Sequence, residues 1–215
     1  MQTILSWLIN ITLLILAVNV FAFLKALKYL PSFHKWFAFF LTTGLIVQIF
    51  AQILSISAIN NLPLLHFYTF FEFIFLSLFY QKLLQQIPAK NFGYFIIAIC
   101  VIIILNTCFI QSLFSFNSIA KTITHAAYIG YALFYFFGRI KSGSVFMNLI
   151  NSAVLIYYSG SLFIFMFTNI LTYFEELIPY YDYLWISNAL LYLIFQLIVL
   201  YGLWKTVYRP MKFSP

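Results

Sequence analysis

Residues 62–84 read LPLLHFYTFFEFIFLSLFYQKLL. The run opens on Leu62-Pro63, a helix start at which proline's missing amide hydrogen is no loss. It is apolar for longer than the roughly 20 residues of α-helix that cross a hydrocarbon core. Lys82 closes it, and one acid, Glu72, interrupts it. By the helical rise, Glu72 stands roughly 15 Å in from the start of the run, near the middle of a bilayer.

The same pattern recurs on both sides. Apolar runs occupy approximately 3–24, 36–58, 62–84, 93–114, 118–138, 146–172 and 183–204. The breaks carry turn chemistry: Pro31, Asn60-Asn61-Leu62-Pro63, Pro88, Ser115-Phe116-Asn117, Ser142-Gly143-Ser144 and Pro179. No break is long enough for a separate domain, so residues 1–215 are expected to form a single seven-span membrane domain. Composition agrees. Of 215 residues 65% are apolar, 22% aromatic and only 7% charged, against roughly 25% charged in an ordinary soluble domain, and mean hydropathy is +1.02. So few charges cannot coat a water-facing surface, which excludes soluble, disordered and collagen-like classes. Cys100 and Cys108 on one helix are roughly 12 Å apart by the rise and cannot bridge. The fold class read from the sequence is an all-α polytopic membrane protein, a seven-transmembrane-helix bundle.

Charge placement sets the expected orientation, because Lys and Arg of short loops are retained in the cytoplasm. Lys25, Lys28 and Lys35, then Lys82 and Lys90, then Arg139 and Lys141, then Lys205, Arg209 and Lys212 follow spans one, three, five and seven. The remaining cation, Lys121, lies on the opposite side with Glu175, Glu176 and Asp182. The N-terminus is therefore expected outside and the C-terminus in the cytoplasm. Trp7 and Trp185 then fall at outer helix ends, Trp36 and Trp204 at inner ends, as headgroup-level side chains do. The first span lacks a basic leader and is too long for a signal-peptide core, so it is expected to stay in the mature chain. The net charge of +7 reads as a cytoplasmic basic rim beside anionic lipid, not as a nucleic-acid surface. The membrane expected is the bacterial plasma (inner) membrane.

Polar groups at membrane depth must find a partner or line a cavity. On helix three, Tyr68 and Glu72 are four residues apart, and Thr69 is three from both His66 and Glu72, so they form one polar arc. Helix five offers His125, helix two Gln48 and Gln52, helix four Asn106, and helix seven Asn188 and Tyr192. Most fall in the outer half and are expected to converge on a shared cavity for a small molecule, ion or proton. Glu72 is its expected centre, with His66 and His125 as partners and the amides and Tyr192 as orienting groups. Gln52, His66 and Lys82 also recur as Gln111, His125 and Lys141 at a constant offset of 59 residues, a weak repeat that would set the two histidines at equivalent depths.

Several chemistries are disfavoured. Helix seven has no mid-span lysine for a retinal Schiff base, since Lys205 is at its end. His66 and Glu72 lie about 120° apart around their helix, a strained pair for one metal, and no HExxH, CxxC or Gly-rich phosphate loop occurs. No enzyme activity, metal or cofactor is expected. The topology resembles the seven-span sensory modules of bacterial signalling proteins, which implies a ligand-binding module that couples to a cytoplasmic partner, here expected to be a separate protein. It also has the gross topology of small seven-span sugar and vitamin transporters, but all six prolines sit at span ends or in loops, and no broken helix marks a transport site. A small-solute or proton-coupled transporter is the alternative, and a structural accessory subunit of a membrane complex the second alternative.

Overall fold

Proline and asparagine set the helix boundaries. Asn60 Oδ1 accepts the Leu62 amide at 2.9 Å, and Pro63 sits in the first turn that follows. Pro88, at φ −54° and ψ 129°, caps the next helix. In the computed structural model, which describes residues 2–139, 143–171 and 181–209, the described residues form seven α-helices and no strand. These are α1 Gln2–Ala26, α2 His34–Ile56, α3 Leu62–Leu83, α4 Ala89–Leu105, α5 Ser118–Arg139, α6 Val145–Leu171 and α7 Tyr181–Leu203. The all-α class matches expectation. The fourth helix differs, starting at Ala89 and ending through a π-helical turn, Asn106–Ile110. Pro88 presets the start ahead of polar Lys90 and Asn91, and extended Gln111 (φ −117°, ψ 122°) ends the helix. Lys141, Lys212, Glu175, Glu176 and Pro179 lie outside the described residues.

α2 stops on a residue that does not suit the stop. Ala58 has φ 55°, and the amides of Ala58 and Ile59 donate to Ser55 O (3.1 Å) and Leu54 O (2.9 Å). These are the paired bonds of a Schellman ending, whose left-handed position favours glycine. An L side chain there costs about 1 kcal/mol. Ala58→Gly is therefore expected to raise stability by roughly 0.5–1 kcal/mol, read as a small rise in unfolding temperature in detergent; a fall would show that the Ala58 methyl packs usefully.

Six of the seven helices are long and apolar enough to cross a membrane. α5 is the exception, and its face explains why: Lys121, Thr124, His125, Tyr128, Tyr131 and Tyr135 are buried, while Leu133, Phe134 and Phe137 are exposed. The described residues as a set have the same inverted distribution. Ile56 and Phe109 are each 81% exposed and Phe137 87%, whereas Glu72, Lys121, His66, His125, Asn106 and Asn151 are buried. Large apolar groups outside and ionisable groups inside are what lipid, not water, selects. This is an integral-membrane type of surface.

Two compact units share the helices. Leu30–Thr124 holds α2, α3, α4 and the start of α5. There α3 packs on α2 through rings, Phe79 meeting Phe37 at 5.2 Å and Phe33 at 5.7 Å between centroids. The second unit, Met1–Tyr29 with His125–Pro215, holds α1, the rest of α5, α6 and α7. Here α7 packs on α6 and on α1. Asn19 of α1, fully buried, donates to Gln196 Oε1 at 2.7 Å and to the Gln196 carbonyl at 2.8 Å, an interhelical amide bond of the kind that replaces hydrophobic drive in lipid. At Gly160 a Cβ would meet Leu191 Cδ1 at 2.5 Å, so the Leu191 side chain of α7 fills the space that this residue leaves on α6.

Candidate functional site

The Glu72 carboxylate has a cationic partner. Lys121 Nζ donates to Glu72 Oε2 at 2.7 Å, with the two side chains 5% and 2% exposed. The lysine reaches it from the first turn of α5, where its amide donates to Asn117 O at 3.1 Å and its carbonyl accepts from Thr124 Oγ1 at 3.1 Å. Its ammonium also lies 4.7 Å from the centroid of the Tyr68 ring. Tyr68 stands one turn before Glu72 on α3, so the arc expected from the sequence forms. A ring face and a carboxylate from one helix enclose a cation from another. Removed from water, such a charge-assisted bond is strong, and either member alone is very unfavourable.

The start of α5 is held a second way. Gln111 crosses back over it: Oε1 accepts the Ile119 amide (3.1 Å) and Asn106 Nδ2 (3.0 Å), while Nε2 donates to Phe116 O (3.1 Å) and meets Ser118 Oγ at 2.9 Å. Asn106 also donates to Asn117 Oδ1 at 3.2 Å. The π-helical turn supplies this geometry, with the Gln111 amide bonded five residues back to Asn106 O at 2.8 Å; such turns concentrate at functional positions. His66 joins the same loop to α3, its Nε2 donating to Ser115 O at 3.1 Å and its Nδ1 meeting Thr107 Oγ1 at 3.2 Å. Two polar links, Glu72–Lys121 and His66–Ser115, thus tie α3 to the segment that begins α5.

The remaining sequence-derived positions separate between the two units. Thr69 is buried beside Glu72 but spends its hydroxyl on Leu65 O at 2.7 Å. Gln48 and Gln52 are half-buried on α2. His125, Asn188 and Tyr192 belong to the other unit. His125 is enclosed by rings, with Tyr158 at 4.8 Å, Phe165 at 5.3 Å and Tyr128 at 6.2 Å. Asn188 accepts from Ser161 Oγ at 2.8 Å, and Tyr192 stacks on Phe195 with ring centroids 6.0 Å apart and planes 6° apart. The two histidines therefore have different surroundings, one polar and one aromatic, despite the 59-residue offset.

Lys121, read from the sequence only as the cation on the opposite side, is buried against Glu72, and His66 is engaged by Thr107 and Ser115. Lys121 and Gln111 are the residues that the sequence reading passed over. The signal for Lys121 was there: it was the one cation off the basic rim, and it lay inside a span. Among the described residues no group of three or more His, Cys, Asp or Glu side chains gathers to hold a metal. The chemistry on offer is charge pairing.

Neither a family model, nor a curated protein, nor a solved structure matches the chain.

Proposed function

We propose that the chain is a seven-span protein of the bacterial plasma membrane, N-terminus outside and C-terminus cytoplasmic, acting as a sensory or ligand-binding module whose responsive element is the Glu72–Lys121 pair. The observation that supports this is a buried 2.7 Å ion pair in a chain with only four acids. A pair of this kind is a two-state element that rests in its closed arrangement, because opening leaves a buried charge unpaired. Closed, each charge neutralises the other; when a small molecule, ion or proton takes one member, the other loses its counter-charge and the start of α5 is released from α3. α5 contributes its first turns to one compact unit and the rest to the other, so a shift at Lys121 is carried along one continuous helix to Arg139. The basic rim read from the sequence, Arg139, Lys141 and Lys205, is where a separate cytoplasmic protein docks.

Access distinguishes this from transport. In a chain with Cys100 and Cys108 replaced by Ser, Tyr68→Cys is expected to react with a membrane-impermeant thiol reagent from the outer face only. Cys108 is exposed, which makes its removal necessary. Reaction from both faces would establish alternating access and hence the transporter. Reaction from neither face, with signalling output unchanged in Glu72→Gln, would leave a structural accessory subunit.

A further inference from the structure

Away from the ion pair, one end of the unit built on α1 and α7 carries a groove that the sensory reading does not use. Leu24, Lys25, Lys28, Tyr29 and Tyr208 line an open volume of about 630 Å³. We propose that this groove is a binding site for a phosphate group, the headgroup of an anionic lipid or a soluble phosphate of the same chemistry.

Four observations carry the proposal. Lys25, in the last turn of α1, and Lys28, in the 3-10 turn Leu27–Tyr29 that follows, are three residues apart and line the same groove. Each rests on an aromatic ring, Lys25 at 4.2 Å from the Phe21 centroid and Lys28 at 4.7 Å from that of Tyr29, which steadies a cation without cancelling its charge. No carboxylate is among the lining residues, so the two lysines have no acidic neighbour in the lining. Tyr208, the last residue of a π-helical turn, Trp204–Tyr208, at the end of α7, completes the lining, and its hydroxyl donates to Ala22 O at 2.6 Å. That bond ties Tyr208 to α1, and Leu24, itself exposed, offers apolar surface for the first carbons of an acyl chain. An open groove lined by both cationic and apolar side chains matches a phospholipid at the headgroup boundary.

Lysines in the last turn of a helix also complement its dipole, so the test compares them with rim lysines outside this groove. Lys35 lies over Trp36 at 5.2 Å and Lys90 over Tyr94 at 5.7 Å, the same pairing of cation and ring. The full chain is equilibrated with phosphatidylcholine vesicles containing a minor fraction of phosphatidylglycerol, repurified, and its retained lipid counted by native mass spectrometry. The wild type is expected to enrich phosphatidylglycerol over phosphatidylcholine. Lys25→Gln/Lys28→Gln should reduce that retention roughly tenfold, while Lys35→Gln/Lys90→Gln, with the same change in net charge, leaves it within about twofold.

Addition of millimolar inorganic phosphate separates the sources. Displacement of the lipid by phosphate bound in its place assigns a soluble ligand, and persistence of the lipid assigns the headgroup; both support the site. Equal loss in the two double variants, or no enrichment in the wild type, overturns it, because generic surface charge then suffices. The site rests on α1 and α7 spanning a membrane. If the chain fails to sediment with membranes, that premise fails visibly before any lipid is counted. The Glu72 response is measured separately and can survive the loss of this site.

Discussion

Lys121→Met is expected to be among the most destabilising single substitutions in the unit formed by α2, α3 and α4, by about 3–5 kcal/mol. The loss comes less from the 2.7 Å bond itself than from what remains, a buried Glu72 carboxylate whose paired charge has gone. In a chain of this length that corresponds to a fall in unfolding temperature on the order of 10 °C. The second mutation reverses most of it: Glu72→Gln/Lys121→Met removes both charges and is expected to recover the majority of the loss, as replacing a whole buried pair by neutral groups commonly does. Lys35→Met, at an exposed lysine, should change stability by no more than about 0.5 kcal/mol. Thermal unfolding of the four proteins in detergent checks the set. Additive losses in the double variant would show that the two side chains act independently. The double variant also separates roles, since a module that senses through this pair regains its stability but not its response, whereas a purely structural pair regains everything.

Tyr158→Ala is the counterpart in the other unit, with an expected loss of about 3–5 kcal/mol. Its ring is fully buried at the meeting point of α5, α6 and α7, with Tyr128 at 4.5 Å, Tyr157 at 4.7 Å, His125 at 4.8 Å and Phe195 at 6.5 Å between centroids. In lipid, helix association depends on packing and interhelical hydrogen bonds because the surrounding tails are as apolar as the side chains. A hole at this point removes dispersion contacts from several rings at once. Phe163→Ala on the same helix removes a ring that is 62% exposed, and lipid fills the space, so it should leave the unfolding temperature nearly unchanged. Equal effects at the two positions would mean that the aromatic cluster is not the structural centre of this unit.

The helices were legible from the sequence because the properties that make them are local. Runs such as 62–84 are apolar residue by residue, and Pro63 acts on the bonds next to it, so α3 could be read without knowing what it touches. The failures have a common form. Lys121 was sorted by the loop it lies near, yet its partner is 49 residues away. His66 and Glu72 looked like one constellation because they share a helix, but they face different groups of the α4–α5 segment. Gln111 looked like a loop amide, and only the folded chain shows it capping α5 with one end of its side chain and bonding Asn106 with the same oxygen.

Taken alone, then, the sequence determined the all-helical class, the apolar outward surface and the rarity of buried charge, since each follows from hydropathy summed over consecutive residues and from the 3.6-residue turn. Tertiary structure alone decided which buried groups meet. Helix rotation and the π-helical turn at Asn106–Ile110 set where each side chain ends, and a shift of one residue turns a helix by about 100°. Pairing between distant helices depends on that angle on both sides, which no periodicity within a single run contains.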